Sequence, residues 1–513
     1  MSSSNQLLEE EGISVETDFI EKTTTLSLTL PEIDPAKDET GDLGQGSRKL
    51  PAVLRTRDLV VFMVLIVLFI SNTSGVQFAG PAALLYWVLG ALTFLVPCVI
   101  VTRWLARRFP EQSVPYVWIT KVMGSKWGFI SAFCIWLPGM LATVAVIDNG
   151  LVFIQYLLPN WFTNPLQQCL GIVVLLGIAT AVTCLPLICL KRILLAITAL
   201  YLGVFALVGG LGIWWVASRH HEATALNVAS GWQPGWQSFA AYSIIVLAFL
   251  GVNIPMFASQ ELRNGVLGVK RASSYVWWGG AIVILAYTIG TFGIMVIVSP
   301  KHAGDMTASM QAVQLILGPA AGNSVAVILI LSEIAITIAY LLLFARIMIF
   351  VAQDRRLPSY LKNVNRFGVP VRSILVQAGI VALATILLFV GVPSLFGEMA
   401  NSSDFATEIY NVMQAGTTVI WLIASIQIFA LVVWLLYRRK KKLIVSLLAR
   451  FVLSGVAIIG SGASVIGVWA TISSSWIPGM IPMGVGQFLS AASLPSHFVW
   501  DCWRASCRAF APC

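Results

Sequence analysis

From residue 58 onward the chain alternates long apolar runs with short polar or helix-weakening stretches. About 20 apolar residues cross a hydrocarbon core of ~30 Å. At that length the pattern predicts spans near 58–80, 83–106, 127–157, 166–187, 193–216, 239–260, 272–299, 323–351, 373–393, 411–437 and 443–470. These spans are apolar all round, so helical periodicity says little within them, and breaks, charges and flanks carry the information. Two are interrupted near the middle. The first is apolar from Leu59 to Ile70 and then reads Ser71-Asn72-Thr73-Ser74-Gly75; the sixth contains Gly251-Val252-Asn253-Ile254-Pro255. In hydrocarbon an unpaired backbone amide or carbonyl costs several kcal/mol, so a span loosens only where it lines a protein cavity. Paired interruptions, one in each half of a multi-span chain, point to a substrate site of the secondary-transporter kind. A weaker twelfth segment, 474–500, carries Pro478, Pro482 and Pro495 among Gly479, Gly484 and Gly486, and a charged tail follows at 501–513.

Composition sharpens the class. Hydrophobic residues make up 58% of the chain and charged ones only 11%, against about 25% charged in soluble domains. The expected fold is an all-α polytopic membrane protein with 11–12 transmembrane helices. Residues 1–50 hold eleven of the 23 acids and four bases, so 1–54 reads as a disordered acidic tail. No apolar core follows a basic start, so no cleavable signal peptide is expected. Alternate inter-span loops hold 21 Lys and Arg, from Arg103 to the run Arg438–Lys442, whereas the opposite loops hold only Arg219 and Lys301. That asymmetry places the amino terminus in the cytoplasm. It makes the net charge of +9 a matter of topology, not of a nucleic-acid partner. Ten spans divide into a core of 58–437, with halves 58–216 and 239–437. An odd number of spans per half makes any likeness between the halves inverted, a five-plus-five inverted-repeat transporter plan with broken first and sixth spans. Residues 443–500 are accessory. Five cysteines beside apolar segments read as small packing residues.

Several separate stretches carry a family resemblance. Gly80-Pro81-Ala82-Ala83 leads into Arg108-Phe109-Pro110-Glu111, and Tyr116-Val117-Trp118 precedes Gly124-Ser125-Lys126-Trp127-Gly128. Ala248-Phe249-Leu250-Gly251-Val252-Asn253 is followed by Gln260-Glu261-Leu262-Arg263-Asn264. Ala352-Gln353-Asp354-Arg355-Arg356-Leu357-Pro358 precedes Asn365-Arg366-Phe367-Gly368-Val369-Pro370. Together they resemble the amino acid–polyamine–organocation permeases, and the last stretch is similar to the glutamate/γ-aminobutyrate exchangers within them. The chain departs from that pattern at Ser113-Val114, at Asn264-Gly265, in the first break, and in having Asn253 in the sixth span. The resemblance implies alternating-access transport of an amino acid or amine at a site between the two broken spans.

The substrate-binding candidates are therefore Ser71, Asn72, Thr73, Ser74 and Gly75 in the first break, and Phe249, Gly251 and Asn253 in the second. An unwound first break would offer amides and the Ser71, Thr73 and Ser74 hydroxyls to a carboxylate. The alternative is a continuous helix whose hydroxyls bond back to the preceding turn. Gly251 allows close approach and Pro255 removes a donor. Phe249 resembles an aromatic lid. Glu333, in mid-span within Leu331-Ser332-Glu333-Ile334, is a costly carboxyl and the candidate for proton coupling, unless it is a neutral acid bonded between helices. Asp148 in the third span is similar. The fifth span holds no Lys beyond its entry, and no span carries a Ser/Thr-plus-acid cluster suited to sodium. No nucleophile–base pair, metal cluster or phosphate loop is found, so neither catalysis, metal nor cofactor is expected. The expected partners are a small-molecule substrate and membrane lipid, with oligomeric state left open. The leading function is a permease or antiporter in the plasma membrane. The other class is a receptor or sensor of amino acids that keeps the transporter fold.

Overall fold

A computed structural model of the chain describes residues 52–110, 114–235, 238–263, 265–300, 304–396, 405–437 and 447–473. The acidic tail, the run Arg438–Lys442 and the weak twelfth segment lie outside these residues. Among the described residues nine helices are long and apolar enough to cross a membrane, and a tenth span is formed by Thr56–Val67 with Ser71–Ala79, bent by 44°. The sixth segment is two short pieces, an α-helix Ala240–Ala248 and a 3-10 helix Ile254–Glu261. Every expected span in 58–470 thus has its helix. The seventh begins earlier than its apolar run, through a basic turn Gly265–Ala272 ahead of Tyr275–Ile297.

The two broken spans lie beside each other, with the fifth, seventh and eighth packed on the first and the second, eighth and eleventh packed on the sixth. Local sequence explains much of this placement. Asn164 caps the fourth span by accepting from the Gln167 amide at 2.9 Å, with Pro165 in the first turn, as helix starts require. Small residues let neighbours close up. A Cβ on Gly212 of the fifth span would stand 2.5 Å from the Gly293 Cα of the seventh. That close approach brings Tyr201 and Tyr287 of these two spans against the first.

At the end of the bundle that carries the basic loops, the chain ahead of the first span is stitched to the exit of the sixth. The Leu54 amide donates to the Glu261 carbonyl at 2.9 Å, and the Arg263 amide to the Leu54 carbonyl at 3.1 Å. Lys191 Nζ donates to the Val53 carbonyl at 2.8 Å and lies 3.4 Å from Asp58. Glu261 is itself buried and held by Arg346 of the eighth span, whose Nε and Nη2 lie 2.9 and 2.6 Å from Oε1, with Nη2 2.8 Å from Oε2. A charge inside a bundle demands such a partner. Also at this end, the Tyr116 hydroxyl of the short helix Pro115–Met123 donates to Asp354. Burial and that carboxylate push the phenol above its ordinary range.

Candidate functional site

The first span unwinds at Leu68-Phe69-Ile70, just ahead of the polar stretch where its sequence placed the break. Thr56–Val67 ends with Leu68 extended at φ −93°, ψ 114°, and Ser71–Gly75 is already helical. An apolar tripeptide comes loose here because its backbone finds partners elsewhere. Three tyrosines from three spans supply them. Tyr340 of the eighth span donates to the Ile66 carbonyl at 3.1 Å, Tyr287 of the seventh to Val67 at 2.7 Å, and Tyr201 of the fifth to Leu68 at 3.0 Å. The hydroxyls also accept: Phe69 N reaches Tyr287 at 2.9 Å and Ile70 N reaches Tyr201 at 3.0 Å. Five successive residues, Ile66 to Ile70, all buried, are satisfied by phenols, each group sparing about 1–3 kcal/mol of desolvation penalty.

The polar stretch itself behaves as the continuous-helix alternative for two of its residues. Thr73 Oγ1 bonds back to the Ile70 carbonyl, and Ser74 Oγ to that of Ser71 at 2.9 Å. Hydroxyls that close on their own turn are compatible with a helix, which corrects the expectation of an unwound Ser71–Gly75. Gly75 abuts Ile244 of the sixth span. Ser71 and Asn72 point elsewhere. Ser71 Oγ donates to Asn149 Oδ1 of the third span at 3.0 Å, and Asn72 Nδ2 to the Tyr287 hydroxyl at 3.3 Å.

Asn72 lines a narrow central cavity. Its other walls are Ile66 and Phe69 of the first span, Ala142 of the third, Leu247 and Leu250 of the sixth, Tyr340, and Gln414, Thr417 and Trp421 of the tenth. None of these side chains is charged. Toward the basic end, Leu250 and Trp421 also wall a second space that includes Gly251, Asn253 and Ser425. These two side chains therefore partition the cavities. Trp421 is fixed by its indole N–H, 2.8 Å from the Ile135 carbonyl.

In the sixth span Gly251 has φ +93°, and a Cβ there would stand 2.7 Å from Ile66. Only glycine accommodates both the left-handed turn and that approach, so the two breaks touch at this point. Asn253 borders the second space and also a third one, lined by Phe94, Thr102 and Phe429. Phe249 is fully buried, edge-on to Trp87 at 5.5 Å and to Tyr287 at 6.1 Å, a packed wedge, and it borders the third space. The structure brings Asn72 to the central cavity, Gly251 to the contact between breaks, Asn253 to the second and third spaces, and Phe249 to the third alone.

Glu333, 2% exposed, accepts from Asn149 Nδ2 at 2.7 Å, and its Oε2 is buried without a hydrogen-bond partner. Asp148 is fully buried, with both carboxyl oxygens unpartnered. On the opposite face of the protein His220 lies against Trp215 at 4.4 Å, away from all of this. Sequence reasoning missed the tyrosines, Gln414, Trp421, Asn149 and the Glu261–Arg346 pair. A signal existed for the tyrosines: a phenol inside an apolar span needs a partner for its hydroxyl.

Comparison with known proteins agrees with this architecture. An uncharacterized transporter of Legionella pneumophila is 22% identical over 346 residues, 64% of this chain and 72% of that one. The aromatic amino acid transport protein AroP of Salmonella typhimurium is 24% identical over 340 residues, with the same coverage. A probable agmatine/putrescine antiporter, AguD of Lactococcus lactis, is 20% identical over 268 residues, 51% and 56% of the two chains. Among solved structures, MhsT in complex with L-phenylalanine superposes with a TM-score of 0.54 at 13% identity, over 83% of this chain and all of that one. The Eremococcus coleocola manganese transporter does so with 0.50 at 14% identity, over 89% and 94%. Residues 59–492 match the amino acid permease family. The chain therefore belongs to the amino acid permease family, a secondary transporter of the amino acid–polyamine–organocation superfamily.

Proposed function

We propose that this transporter carries a neutral, largely apolar amino acid, bound in the central cavity and released past Leu250 and Trp421. The observation that carries this reading is the lining of that cavity: Ile66, Phe69, Leu247, Leu250 and Trp421 supply apolar surface, and Asn72, Gln414 and Thr417 supply only neutral polar groups. A charged side chain or a diamine would be buried there without a partner, at a cost of several kcal/mol. A zwitterion needs only hydrogen bonds for its two ends, and the neutral amide and hydroxyl groups serve both. The relatives are consistent in kind, since AroP is named for aromatic amino acids and MhsT holds L-phenylalanine. Ser71 and Asn72 on the first span and Gly251 at the contact between breaks form the substrate side of the site. Asn253 lines the exit. The amino terminus is cytoplasmic and the protein resides in the plasma membrane, with the stitching of Leu54 to Glu261 and Arg263 closing the cytoplasmic end. Purified protein in lipid vesicles, offered a panel of labelled amino acids, should accumulate leucine, phenylalanine or their kin and leave lysine, glutamate and putrescine outside. Binding of a panel member without accumulation would identify a sensor instead, and uptake of putrescine would overturn the neutral-substrate reading.

A further inference from the structure

The side chain of Asn149 joins three spans at the edge of the site. Its Nδ2 donates to Glu333 of the eighth span at 2.7 Å, and its Oδ1 accepts from Ser71 of the first at 3.0 Å. Ser71 is the first residue of the helical piece beyond the break, and Asn72 next to it lines the cavity. An amide has one end that only donates and one that only accepts. A carboxylate at position 333 accepts from Nδ2, which leaves Oδ1 facing Ser71 and obliges its hydroxyl to donate. A proton gained by Glu333 has two places to go. On Oε2 it meets no acceptor, because that oxygen is buried without a partner, and an unpaired buried donor is costly. On Oε1 it becomes a donor toward Asn149. The amide then turns over, presents Oδ1 to Glu333 and Nδ2 to Ser71, and the Ser71 hydroxyl must accept and direct its own hydrogen elsewhere.

We propose that Asn149 is a positioning residue that transmits the protonation of Glu333 to Ser71 on the broken first span. The inference rests on the transport reading above. Tyr410 of the tenth span approaches Ser71 and can receive the redirected hydrogen. The other titratable groups facing Glu333 are phenols: Tyr201 of the fifth span, Tyr410, and Tyr340 on its own helix. Asp148 adjoins Asn149 in the third span and faces Tyr410. The fourth span, packed on the eighth, carries only Cys169 as a titratable group. The charged residues of the first and ninth spans, Arg57, Asp58 and Arg372, sit at their starts. Among the described residues no cation faces Glu333, so its proton is exchanged rather than held off by a fixed charge.

The test measures uptake of labelled L-phenylalanine, or of the panel member carried fastest, into vesicles from acid to mildly alkaline pH. Wild type, Asn149→Ala, Ser71→Ala, Glu333→Gln and the Asn149→Ala/Glu333→Gln double variant are compared. The expected result is a wild-type rate that changes several-fold with pH and a flat profile in every variant, the double variant being no flatter or slower than the slower single. Ser71→Ala carries the test if Asn149→Ala does not reach the membrane. An Asn149→Ala or Ser71→Ala protein that transports more slowly but keeps the wild-type pH profile has lost only packing, and overturns the proposal. A flat wild-type profile with transport intact overturns it too and leaves the transport reading standing. Absence of accumulation by wild type for the whole panel takes both down.

Discussion

The phenol clamp on the first span makes a graded prediction. Tyr340 satisfies one backbone group, the Ile66 carbonyl. Tyr201 satisfies two, the Leu68 carbonyl and the Ile70 amide. Tyr287 satisfies the Val67 carbonyl and the Phe69 amide and also accepts from Asn72. Replacing each by Phe keeps the ring and its packing, including the Trp87–Tyr287 stack at 4.3 Å, and removes only the hydroxyl. A buried group left unpaired costs about 1–3 kcal/mol. Tyr340→Phe should therefore lose ~1–3 kcal/mol, and Tyr201→Phe about twice that, from the same per-group cost. Tyr287→Phe should lose at least as much as Tyr201→Phe, because Asn72 is released as well. The assay is the thermal midpoint of purified protein in one detergent, followed by substrate affinity in those variants that survive. The order of midpoints should be Tyr340→Phe above Tyr201→Phe above or equal to Tyr287→Phe, with affinity falling most in Tyr287→Phe because Asn72 lines the cavity. Equal midpoints in all three, or the largest loss in Tyr340→Phe, would refute the claim that the hydroxyls sustain the break.

The buried Glu261–Arg346 pair should behave as a unit: Glu261→Gln or Arg346→Met alone leaves the other charge buried, at a cost of ~3–5 kcal/mol, and the double variant should recover much of the lost thermal midpoint. A double variant no more stable than either single would show that the pair does not hold the sixth span to the eighth. Topology is checked by reporter tags, which should read cytoplasm after residue 440 and outside near residue 400; a cytoplasmic signal at 400 would reverse the orientation.

The spans were legible in the sequence because crossing hydrocarbon imposes a length and an apolar composition that little else produces. Glu333 was legible for the converse reason, as a carboxyl that no apolar span retains without cause. The break in the first span was legible to within a few residues and no better. Ser71, Thr73 and Ser74 look like helix breakers, yet Thr73 and Ser74 turn their hydroxyls onto their own helix. Leu68, Phe69 and Ile70 look like helix formers and come apart. What decides between them is the presence of Tyr201, Tyr287 and Tyr340, more than a hundred residues away in sequence, and no local propensity encodes that. The same holds for orientation across the second break. Phe249 and Asn253 sit on either side of Gly251, whose left-handed turn resets the direction in which later side chains project. Both residues therefore border the third space, while Leu250 between them walls that space and the central cavity. Asn149 was passed over as a neighbour of Asp148, although the amide, not the acid, makes the contacts. In an apolar bundle the polar residue that matters is the one with two partners, and partners are set by the fold. A neutral amide between a carboxyl and a serine costs little to bury and leaves no mark in composition, yet it is placed to move with the carboxyl's proton.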